Sequence, residues 1–98
     1  MKIIWSPLSL ERMEEISDYI AYDNPSAAIK WIDTIFHKVE SLPHNPEIGR
    51  VVPELELQNI REIISGNYRI IYRCEKSNIR VLTVRNFKQI LPVKDMQL

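Results

Sequence analysis

Ninety-eight residues and 11.6 kDa leave room for one folded domain, expected to span 1–98, and for no second. A hydrophobic fraction of 45% excludes a disordered chain, and thirteen Lys plus Arg against thirteen Asp plus Glu argue against holding nucleic acid by bulk positive charge. A single cysteine, Cys74, excludes an internal disulfide, no Cys/His cluster stands at zinc spacing, and no apolar run is long enough for a membrane helix.

The first element is a short strand over 2–5, with Ile3-Ile4-Trp5 cut off by Ser6-Pro7. Ser followed by Pro is a helix start, because the hydroxyl accepts an orphan N–H and proline has none to leave unpaired. Leu10, Met13, Ile16 and Ile20 then recur at helical spacing, which predicts a helix over 7–22 with Glu11, Glu14, Glu15 and Asp18 on its solvated side. Asn24-Pro25 repeats the start signal, and Ala28, Ile32, Ile35, Val39 and Leu42 extend a second stripe, so the second helix is expected over 25–42. Three prolines and Gly49 between Pro43 and Asn59 predict a surface loop.

After Asn59 the hydrophobic period changes to that of strands, expected at 60–64, 68–74 and 79–87. Ser65-Gly66-Asn67 and Glu75 to Asn78 read as the connecting turns. The expected fold is α+β in the order β-α-α-β-β-β, a helical hairpin on one face of a small, mainly antiparallel four-stranded sheet. Residues from Lys94 to Leu98 read as a loose tail. The N-terminal apolar run is too short for a signal peptide, so a cytoplasmic location is expected.

The neutral total hides an asymmetry. Residues 1–60 carry five cations against ten anions, and residues 61–98 carry eight against three, giving −5 beside +5. Strand alternation groups Tyr68, Ile70, Tyr72 and Cys74 on one face and Arg69, Ile71 and Arg73 on the other. It sets Arg61 with Ile63, Arg80 with Leu82 and Val84, and Arg85 with Val81 and Thr83, Lys88 following at the rim. Guanidinium groups gathered on a sheet face suit phosphate or carboxylate, although such charge also simply keeps an exposed sheet soluble. Cys74 reads as an inert buried thiol, Trp5 and Trp31 as core anchors, and His37 and His44 have no catalytic partner at a recognisable spacing.

Four segments in order, "YIAYDNPSAA", "LPHNPEIGR", "IREIISGNYRIIY" and "VLTVRNFKQ", resemble the RelE/ParE superfamily of type II toxins from Trp5 to about Leu91. The resemblance implies a growth-arresting protein neutralised by a short acidic antitoxin that folds on binding, with no cofactor and no metal. RelE-like members resemble ribosome-dependent mRNA endonucleases, and here only Arg69 matches their sheet arginine. There is no Lys between Lys38 and Lys76, and no Tyr or His after Tyr72. ParE-like members resemble poisons of DNA gyrase, which need no general base and share the "NP..A" and "P.iGR" spacings. The expectation is therefore a ParE-like gyrase poison whose antitoxin or target meets Arg61, Arg69, Arg73, Arg80, Arg85 and Lys88. The alternative is a nuclease using Arg61, Arg69, Arg85 and Lys88 on ribosome-bound mRNA with Glu54 or Glu56 as base, and a second alternative is a non-toxic member that only binds its antitoxin.

Overall fold

The computed structural model describes residues 1–88 and Asp95. In chain order the elements are β1 (Lys2–Trp5), α1 (Pro7–Asp23), α2 (Pro25–Glu40), a single 3₁₀ turn (Leu42–His44), β2 (Arg50–Val51), β3 (Ile60–Ser65), β4 (Tyr68–Cys74) and β5 (Asn78–Asn86). The five strands form one sheet in the order β1-β5-β4-β3-β2, antiparallel except for the parallel pair β1 and β5. The parallel pairing follows from the two helices, which carry the chain back across the sheet before the meander begins.

Both helix starts behave as their sequences dictate. Ser6 Oγ accepts from Ser9 N at 3.0 Å and donates to Leu82 O at 3.0 Å, so one hydroxyl caps α1 and ties it to β5. Asn24 closes α1 by donating its N–H to Ile20 O and opens α2 by accepting from Ala27 N at 3.1 Å. One residue thus serves both helices and forces a tight hairpin. The helices bury Met13, Ile35 and Val39 against Ile70, Tyr72, Ile79, Val81 and Val84, with Leu42 closing the edge. Each such aliphatic side chain contributes about 1.5–3 kcal/mol by leaving water. Trp5 packs on Phe36 at 4.7 Å and Trp31 meets Tyr68 edge-on at 5.2 Å, fixing α2 to both β1 and β4.

The structure departs from the sequence expectation in four places. The sheet has a fifth strand, because Arg50 and Val51 pair with Glu62 and Arg61 inside the segment read as a loop. Helix α2 ends at Glu40, and the stripe reaches Leu42 only through the 3₁₀ turn that Pro43 can enter. Leu82 is an extra residue in β5, since Ile71 pairs with Thr83 and Tyr72 with Val81. That bulge reverses the alternation beyond it, so Val84 faces the helices and Arg85 lies opposite Arg69 on the other face, not beside Val81. Asp95, placed in the expected tail, is fully buried; the other residues of that tail lie outside the described residues.

The face away from the helices is not bare either. Val52, from the segment after β2, packs with Ile60, Ile71 and Leu82 in a second small core that Leu55 borders. The loop before β2 is held from below by Tyr72, whose hydroxyl accepts from Gly49 N at 3.0 Å and donates to Pro46 O at 2.7 Å. Gly49 is required there, because a Cβ would stand 2.6 Å from the Glu62 carbonyl oxygen and 2.6 Å from the Tyr72 hydroxyl.

Candidate functional site

The arginines of the sheet other than Arg61 are gathered into three ionic clusters. In the first, Glu62 is buried in the middle of β3 and accepts from Arg50 Nε at 2.7 Å and from Arg69 Nε at 2.9 Å. Arg69 Nη2 also bonds Glu62, and Arg69 Nη1 and Nη2 reach Glu54 at 2.8 and 2.9 Å. The bidentate bond to Glu54 raises the Arg69 pKa; burial opposes this and the bonds to Glu62 add to it. With 5% of its surface exposed, Arg69 is a clamp between β3, β4 and the segment after β2.

The second cluster is at the opposite end of the same face. Arg73 and Arg80 stand opposite each other across β4 and β5. Both bond one oxygen of Glu75, Arg73 Nη2 at 2.7 Å and Arg80 Nε at 3.2 Å. The bond from Arg73 is the largest effect on the Glu75 carboxyl; burial opposes it, and the bond from Arg80 with the two nearby charges keeps the group below its ordinary value. All three side chains are partly open to solvent, and two guanidinium groups share one carboxylate.

The third cluster joins α1 to β5. Asp95 accepts from Arg12 Nη2 at 2.8 Å, Arg12 Nε at 3.1 Å and Thr83 Oγ1 at 2.9 Å, and pairs with Arg85 at 3.5 Å. Burial alone would push its carboxyl up, but the bonds from Arg12 and Thr83 and the two nearby charges prevail and hold it below the usual carboxylate value. Arg12 and Arg85 also line a groove of about 340 Å³, together with Ile16, Tyr19, Tyr68 and Val84 among others.

The sequence candidates are thus divided. Arg69 and Arg85 face each other on the outer side, and Arg73 and Arg80 share that side. Arg61 is opposite Tyr72 on the helix side, where its Nη1 donates to Gly49 O at 2.9 Å. Lys88 is exposed beyond β5, and Glu56 is exposed with a left-handed φ of 56°. Glu54 meets Arg69 directly. Arg61, Arg69, Arg85 and Lys88 therefore do not converge on one point. Sequence reading missed Glu62, Glu75, Arg12 and Asp95. Only Glu62 carried a signal, an acid between Ile60 and Ile64 on one face of a strand. Among the described residues no three His, Cys, Asp or Glu side chains are grouped to hold a metal ion, and no helix is long and apolar enough to cross a membrane.

This architecture is that of a small toxin fold. It superposes with a TM-score of 0.73 on a chain of the solved "Chromosomal ParDE TA system from P. aeruginosa", over 90% of this chain and 97% of that one at 20% identity. Residues 3–91 match the family described as "ParE toxin of type II toxin-antitoxin system, parDE". The Sinorhizobium fredii protein Y4kP, which its name proposes as a toxin, is 31% identical over 93 residues, 93% of each chain. The chain belongs to the ParE toxin family of type II toxin–antitoxin systems, the ParE branch of the RelE/ParE superfamily.

Proposed function

We propose that residues 1–98 act as one toxin domain in the cytoplasm, arresting growth by binding and poisoning DNA gyrase, and that a short acidic antitoxin neutralises it. The observation that carries the choice of target is the state of Arg69. A phosphoryl-transfer site on RNA needs a cation with donors turned toward the substrate. Here both edges of that guanidinium are taken by Glu62 and Glu54, and Arg61 is on the other face of the sheet. Binding another protein needs none of this chemistry.

The antitoxin reading draws support from the second cluster. Two arginines on one carboxylate leave an excess positive charge at a half-exposed rim, suited to steering an acidic chain.

Induction of the protein without its antitoxin tests the target. Double-strand breaks and an SOS response that a resistant gyrase abolishes are expected. Intact DNA with mRNA cut within codons on the ribosome overturns the gyrase reading in favour of the nuclease, and undisturbed growth overturns toxicity itself.

A further inference from the structure

The four tyrosines divide evenly between the interior and the surface. Tyr72 is wholly buried and Tyr68 is half-buried against Trp31, whereas Tyr19 and Tyr22 on α1 are 78% and 91% exposed. The helical repeat sets Glu11, Glu14, Glu15, Asp18 and Tyr22 in one exposed stripe, with Tyr19 beside it. The stripe runs about 16 Å along the helix, opposite Ser9 and Met13, the residues that α1 buries.

This face does not serve the helix that carries it. Its four acids stand three or four residues apart, where like charges repel. Asp23 adds a negative charge in the last turn, where the helix dipole disfavours it and no basic residue of that turn answers it. Glu15 is paired to Arg12 at 3.1 Å, but among the described residues Glu11, Glu14 and Asp18 have no ion pair. The two tyrosine rings leave most of their apolar surface in water. Rigid aromatic rings of this kind are the side chains that anchor protein interfaces.

Charge selects what covers the rings. The carboxylates repel nucleic acid. A second copy laid face to face would set acid against acid, which like-charge repulsion opposes. The chain's own rim around Glu75 offers two arginines for one carboxylate, an excess of one charge for three unpaired acids, and such a head-to-tail contact does not close. A protein surface rich in lysine and arginine fits both parts of the stripe, because its cations pair with the carboxylates and stack on the ring faces. An enzyme that grips duplex DNA must carry such a surface to neutralise phosphates.

We infer that the outer face of α1 is where the toxin holds its target. Tyr19 and Tyr22 pack on a lysine- and arginine-rich surface of the gyrase, and Glu11, Glu14 and Asp18 pair with its cations. This rests on the gyrase reading proposed above and adds which face of the toxin is used and what chemistry it meets.

The test titrates the full chain and its variants against intact gyrase. Tyr22→Ala is expected to weaken binding by about tenfold. Glu14→Lys is expected to weaken it by about fivefold at low salt, an effect that fades as salt is added. Glu40→Lys, the same charge change at an exposed site at the far end of α2, leaves binding within about twofold. Circular dichroism confirms that all three variants are folded. Binding by either Tyr22→Ala or Glu14→Lys as tight as that of the parent, or a loss as large from Glu40→Lys as from Glu14→Lys, overturns the α1 surface and leaves the gyrase reading standing. A parent chain that does not bind gyrase overturns both.

Discussion

The cluster around Glu62 and the cluster around Glu75 use the same residue types on the same face of one sheet, yet they do different physical work. Around Glu62 two arginines are matched by two carboxylates, and the central acid is wholly buried. Removing charges from water costs several kcal/mol per ion, so such a chain persists only when each charge and lone pair is answered. Around Glu75 two arginines share one carboxylate at the rim, where water screens what is left unbalanced. The first fastens the segment after β2 onto the sheet. The second is open to an outside partner. An arginine on a sheet therefore becomes a binding residue only where its own fold has not already supplied the acid.

Breaking the buried cluster gives the largest expected effect. Glu62→Gln leaves the buried Arg69, and the exposed Arg50 beside it, facing a neutral group, which is expected to cost about 3 kcal/mol of unfolding free energy. Urea denaturation measures it, and a loss below about 1 kcal/mol would show that water reaches the cluster.

Asp95→Asn comes next, at about 2 kcal/mol near neutral pH, because Arg12 and Arg85 lose their shared carboxylate. The sign with pH follows from the depressed carboxyl. Its contribution is fully present above the ordinary carboxylate range, where folded and unfolded forms are both ionised. It is lost as pH falls through the folded value. The variant should therefore show a flatter loss of stability with acid than the parent, and parallel acid profiles would contradict the assignment. Glu54→Gln is expected to cost less, about 1 kcal/mol, since Glu54 is part-exposed and Arg69 keeps Glu62. Its mark is faster amide exchange in the segment around Val52, and unchanged exchange there would detach Glu54 from the clamp.

The contrast between the clusters also explains what could be read from the chain. Ser6-Pro7 and Asn24-Pro25 carry their cap chemistry locally, so both helix starts were legible. The hairpin turn at Gly66, with φ of 58°, was legible for the same reason. Pairing within the sheet was legible up to the Leu82 bulge, because period two holds only while each residue has one partner. β2 escaped notice because two residues amid prolines form no pattern; their pairing comes from Glu62 and Arg61 elsewhere in the chain. The ion pairs were illegible for a related reason. Glu54 to Arg69 spans 15 residues and Arg12 to Asp95 spans 83, and no local spacing records which acid meets which base. The halves of −5 and +5 are thus partly folded onto each other. The expected basic face shrinks to its rim.

The smallest structural effect is expected where the binding effect is largest. Arg80→Glu removes one of two cations from a partly exposed carboxylate and leaves the Arg73–Glu75 pair intact, so stability should change by no more than about 0.5 kcal/mol. Association with an acidic antitoxin should respond much more. The substitution turns a local excess of positive charge into an excess of negative charge, and the steering field acts before any contact forms. The loss should appear in the association rate at low ionic strength and fade with added salt, as the screening length falls from about 30 Å at 0.01 M to about 3 Å at 1 M. Stopped-flow association of parent and variant across that range gives the comparison. Rates that coincide at low salt would mean that the Glu75 cluster, like the Glu62 cluster, serves only its own fold.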